Sequence, residues 1–85
     1  MPEPSEKLKS AVLEIIDNQL RDNTPPETRQ TYHRLLKEGY SDQEARELIG
    51  VVVSSEIFEV MKNKQTYDQQ RYIAALQKLP QKPWE

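Results

Sequence analysis

The residues best placed for chemistry are four polar side chains whose spacing assigns them to the apolar faces of helices. Ala45, Ile49, Val52, Glu56 and Val60 advance in steps of three and four, which sets Glu56 in the middle of an apolar stripe. Leu8, Val12, Ile15 and Gln19 follow the same progression, and Arg29, Tyr32 and Leu36 share another face. A carboxylate, a carboxamide, a guanidinium and a phenol are thus expected to converge. Burying a carboxylate is strongly penalised unless it is paired. One arrangement is a small polar pocket in which Glu56 acts as an acid/base or anchors a ligand. Another is a structural Arg29–Glu56 bridge whose hydrogen bonds Gln19 and Tyr32 complete; a third is a helix end that emerges into solvent. Structural satisfaction is the usual state of polar residues within a core and is the expectation here.

Other groupings point to weaker chemistry. Glu14 with Asp17, and Glu56 with Glu59, are carboxylate pairs one helical turn apart. Ferritin-like metal sites need Glu-x-x-His pairs, and neither pair has a histidine three residues on, so no metal or cofactor is expected. Arg29, His33 and Lys37, with Arg34 beside them, form a basic stripe that suits a solvated helix face partly neutralised by Glu38. Leu36 to Ser41, followed by Glu44-Ala45 and Leu48-Ile49-Gly50, superficially matches the first helix and turn of a helix-turn-helix. The segment that would then enter the groove, Ser54 to Asn63, carries Glu56 and Glu59 against Lys62. That charge repels phosphate, so nucleic acid is not the expected partner. Tyr67, Tyr72 and Trp84 lie close in sequence and form a candidate aromatic interaction surface.

Composition removes several classes. The chain has 85 residues, enough for one small domain. Leu, Ile, Val and Phe together make up 19 of them, so a folded chain with a thin core is expected. There is no cysteine, hence no disulfide, thiolate metal site or cysteine nucleophile. One histidine excludes an HExxH pair, and neither of the two glycines belongs to a phosphate-cradling loop. No apolar run approaches the roughly 18–20 residues of a membrane span. The opening, Met1 to Glu6, is acidic and proline-rich, unlike a secretory signal. A cytoplasmic protein is expected, and a formal net charge of −2 gives no pull toward nucleic acid or anionic lipid.

Four helices must position these residues. The first is expected to begin at Ser5 as N-cap, to carry Leu8, Val12, Ile15 and Ile16, and to end at Leu20. Thr24-Pro25-Pro26-Glu27 reads as a capping box opening the second, whose stripe is Tyr32, Leu35 and Leu36. Gly39 suits the left-handed position that closes it, with Tyr40 folding back on Leu35. Ser41-Asp42-Gln43-Glu44 is a second capping box, opening a third helix that is apolar on most sides from Ala45 to Met61 and is therefore central. Gly50 within it points to close backbone packing. Asp68 is placed to cap a fourth helix, with Tyr67 and Tyr72 as a hydrophobic staple and Pro80 as its stop.

Gln19-Leu20, Pro25-Pro26-Glu27, Arg29, Tyr32, Leu36, Gly39, Ser41, Glu44-Ala45, Ile49, Glu56-Ile57, Asp68, Tyr72, Leu76 and Leu79-Pro80 form a pattern that resembles short bacterial helical proteins without an assigned activity. It also resembles the C-terminal half of a longer bacterial family of unknown function. That family has histidines ahead of the Gln-Leu pair, where this chain has Ala11 to Ile16. The resemblance implies a bacterial helical protein and carries no activity. The Gly39-Tyr40 loop also resembles that of ubiquitin-associated three-helix domains. The expected fold is all-α: one mostly antiparallel four-helix domain over 1–85, with flexible tails at 1–5 and 81–85. The expected function is a small interaction module, either self-associating or bound to a protein partner. The alternatives are a ligand-binding or catalytic protein using Arg29, Tyr32 and Glu56, and a nucleic-acid-binding domain.

Overall fold

A computed structural model describes residues 4–64 and 66–83. Helix starts and stops follow local chemistry in most places. Helix α1 spans Pro4–Asp22, α2 Pro26–Lys37, α3 Asp42–Asn63 and α4 Gln69–Lys78, with no strand among the described residues. The fold is all-α, one domain of four helices. Helix α1 starts at Pro4, which has no N–H to leave unpaired, so Ser5 lies inside the helix rather than capping it. It runs past Leu20 to Asp22 and stops where Asn23 turns left-handed (φ 54°). The expected tails lie partly outside the described residues; within them, Pro4 and Ser5 belong to α1.

The expected capping box at Thr24 does not form. Pro25 is the N-cap in extended conformation and has no side chain able to cap, while Pro26 takes the first helical position. The Thr24 hydroxyl donates instead to the Asp22 carbonyl (3.1 Å). The other end of α2 closes as the sequence indicates. Gly39 has φ 101°, its N–H donates to the Leu36 carbonyl, and the Tyr40 N–H reaches back to the Leu35 carbonyl. The Ser41 box is complete: its hydroxyl accepts from the Glu44 N–H (3.1 Å), and the Glu44 carboxylate accepts from the Ser41 N–H (2.9 Å). Asp68 accepts from the Arg71 N–H (3.2 Å), and the Tyr67 and Tyr72 rings lie 6.1 Å apart as a staple.

Helix α3 packs against each of the other three. It supplies Ala45, Ile49, Val52 and Val53 to a core that also holds Val12, Ile16, Leu35, Tyr72, Leu76 and Leu79. The Val51–Val53 run is helical despite its β-branched residues. A side chain at Gly50 would meet Val12 Cγ1 at 3.3 Å and Ile16 Cδ1 at 3.6 Å, so α1 crosses α3 close to its backbone there. The buried face of α2 is Thr28, Thr31 and Leu35, one residue out of phase with Arg29, Tyr32 and Leu36. Two short threonines therefore occupy the positions nearest the core, and Leu36 stays exposed. Leu8 is also exposed, one turn before the first buried residue of α1, Val12.

Candidate functional site: two polar clusters and an open face of α3

The four polar residues do not meet at one point. Glu56 is buried on α3 and takes Arg71 of α4 as its partner, not Arg29. One Glu56 carboxylate oxygen accepts from Arg71 Nη2 (2.6 Å) and from the Asp68 N–H (3.3 Å), the other from Arg71 Nε (2.9 Å). This two-pronged clamp holds the start of α4 on α3. The Arg71 guanidinium, aided by the Asp68 N–H, holds the Glu56 carboxyl below the usual carboxylate range, although burial opposes the shift. A group kept ionised and fully engaged in this way is poorly matched to proton transfer near neutral pH.

Gln19 anchors a second cluster. Its side-chain oxygen accepts from the hydroxyls of Thr28 and Tyr72, both at 2.7 Å. Those hydroxyls lie 3.4 Å from each other, so α1, α2 and α4 are tied at one knot. Burial pushes the Tyr72 phenol up in pKa. Tyr72 is 2% exposed, which removes it from the expected exposed aromatic surface: the stapled start of α4 turns its ring inward. Tyr67 is exposed, and Trp84 lies outside the described residues. Gln19 and Glu56 do share one cavity of about 250 Å³, walled by Ile15, Val53, Val60, Met61 and the two tyrosines.

Arg29 and Tyr32 turn elsewhere. Arg29 donates to the Leu20 carbonyl near the end of α1. The Tyr32 hydroxyl donates to Asp42 at the start of α3, and Arg46 lies over the Tyr32 ring, 5.7 Å from its centroid. Arg46 also binds Asp42 (3.0 Å) and Asp17. Their separation from Glu56 follows from the phase of α2, which gives the inward direction to the threonines. Arg34 of the basic stripe donates to the Leu76 and Leu79 carbonyls at the end of α4 and pairs with Glu38. Thus part of the stripe is spent on holding helix ends together.

The carboxylate pairs are likewise divided: Asp17 binds Arg46, Glu56 binds Arg71, and Glu59 accepts from Asn63. Among the described residues, no three His, Cys, Asp or Glu side chains gather where they could hold a metal ion. No described helix is long and apolar enough to cross a membrane. The superficial helix-turn-helix match does not extend to the geometry. Ser54 to Asn63 is not a separate helix after a turn but the second half of α3, which is unbroken from Asp42.

A cleft of about 570 Å³ lies between α1 and α3. Its walls are Val12, Leu13, Gly50, Val51, Ser54, Ser55 and Phe58, and Lys9, Arg46 and Glu47 also line it. Phe58 is 62% exposed, and Met61, one turn on, is 74% exposed. The sequence marked α3 as apolar on most sides, yet neither residue was singled out as surface, because an all-round apolar pattern does not say which side remains uncovered. No family model, curated protein or solved structure matches the chain.

Proposed function

We propose that this protein is a small interaction module, with the cytoplasm as its compartment, and that the outward side of α3 is its binding face. The observation that carries this reading is the pair Phe58 and Met61, exposed side by side next to an apolar cleft. Large apolar residues gathered on an otherwise polar surface mark contact sites, and aromatic residues dominate the energetics of such contacts. The polar clusters are satisfied internally: among the described residues, no buried side-chain nitrogen or oxygen is without a hydrogen-bond partner. Glu56 and Gln19 hold helices together in this reading, and catalysis has no assigned residue.

Placing a benzophenone photocrosslinking side chain at position 58, and separately at the exposed α2 position Lys37, tests the reading in living cells. Adducts of defined mass from position 58 and few from position 37 are expected. Equal labelling from the two positions, or none from position 58, contradicts it.

A further inference from the structure

The geometry points to a second copy of this chain as the occupant of that face, bound through antiparallel contact of the two α3 helices about a twofold axis between Ser54 and Ser55. This inference rests on the interaction-module reading and names its partner. Glu47, Val51, Ser54, Phe58 and Lys62 advance in steps of four, three, four and four along α3, so they form one stripe. All five are at least partly exposed, opposite the buried stripe of Ala45, Ile49, Val52 and Glu56.

The stripe is complementary to itself when reversed. With the axis between Ser54 and Ser55, Phe58 of one copy meets Val51 of the other, where the cleft opens toward α1. Glu47 at one end then faces Lys62 at the other, and twofold symmetry makes each contact twice. The centre of the stripe holds only serine side chains, which lets two helices approach closely. Lys62 already lies over its own Phe58 ring, with Nζ 5.7 Å from the centroid, so its ammonium sits at the edge of the apolar contact. A parallel arrangement would set Glu47 against Glu47 and Lys62 against Lys62, and like charges directly opposed select against it.

Sedimentation velocity over a concentration series, on the wild type and on the variants Phe58→Asp, Glu47→Lys, Lys62→Glu and the Glu47→Lys/Lys62→Glu double, tests the pairing and its register. A wild-type dimer is expected. Phe58→Asp should abolish it. Each single charge reversal should raise the dimer dissociation constant by about five- to tenfold, because two attractive contacts become repulsive. The double reversal should bring the constant back toward the wild-type value. A wild type that stays monomeric throughout overturns the pairing. So does a dimer indifferent to Phe58→Asp, or one whose single charge reversals have no effect. Crosslinking from position 58 to a different protein, with a monomeric purified chain, would sink the pairing and leave the interaction-module reading standing; no adduct from position 58 would sink both.

Discussion

The inward and outward faces of α3 both carry apolar residues, and they differ in what covers them. The inward face carries Ala45, Ile49, Val52 and Val53, each at most 5% exposed beneath the neighbouring helices. The outward face carries Val51, Phe58 and Met61, and the last two remain open to solvent. A helix apolar on most sides normally lies buried all round. Here the three other helices cover part of it, and Phe58 and Met61 are left over. The polar residues divide in the same way. Glu56 on the inward side is clamped by Arg71, whereas Glu47 and Lys62 on the outward side stand at the two ends of the open stripe. One face stabilises the monomer, and the other is the face proposed here to bind.

Substitutions on the inward face should have the largest effect. Ile49→Ala removes a fully buried side chain in contact with the core and should cost about 2–5 kcal/mol in chemical denaturation. Such a loss is a large part of the stability of a chain this small. Glu56→Gln comes next. It keeps the shape but loses the charge, and about 1–2 kcal/mol is expected, a figure reduced because Arg71 remains partly in solvent. The loss should depend on pH. The folded protein holds the Glu56 carboxyl below its ordinary pKa, so its contribution is complete above the ordinary glutamate range. As pH falls through the lowered value the carboxylate protonates and the contribution disappears. Denaturation curves of wild type and Glu56→Gln should therefore differ at pH 7 and converge in acid; a constant difference would contradict the clamp.

Ser41→Ala removes one half of the capping box and should cost about 1 kcal/mol, seen as a fall of roughly 4–8 °C in melting temperature. Phe58→Asp should change the unfolding free energy of the dilute chain by only about 0.5 kcal/mol, since an exposed side chain adds little to the monomer. A large fall in its stability would show that Phe58 belongs to the core and would erase the contrast between the two faces.

Helix ends were the most legible part of the fold, because caps are local. Ser41 with Glu44, Gly39 with Tyr40, and Asp68 with Tyr67 and Tyr72 each act within a few residues, and all formed. The Thr24 box misled for an equally local reason: two adjacent prolines shifted the helix start by one residue and left a proline at the cap. The phase of α2 was harder to read. Thr28, Thr31 and Leu35 have the same spacing as Arg29, Tyr32 and Leu36, and the second set contains the larger apolar groups. Hydroxyls that find partners, as Thr28 does on Gln19, make the threonine face the buried one. The partner of Glu56 was not legible at all. Periodicity placed Glu56 inward correctly, but Arg71 reaches it across a connection and a helix cap, and spacing along one helix carries no information about a neighbour. The surplus on α3 was visible as composition, and its direction became visible only once the other helices were in place.

The chain lacks cysteine, so a single introduced thiol reports directly on whether the outward faces of two copies meet. The most direct measurement is the rate of disulfide-linked dimer formation under mild oxidation for Ser54→Cys, beside Lys37→Cys as the control on an exposed part of α2. Close antiparallel α3 helices bring the two thiols at position 54 within the short reach that a disulfide requires. The account predicts rapid covalent dimerisation of Ser54→Cys in native buffer, slow dimerisation of Lys37→Cys, and loss of the difference in denaturant. Equal rates in native buffer would contradict it.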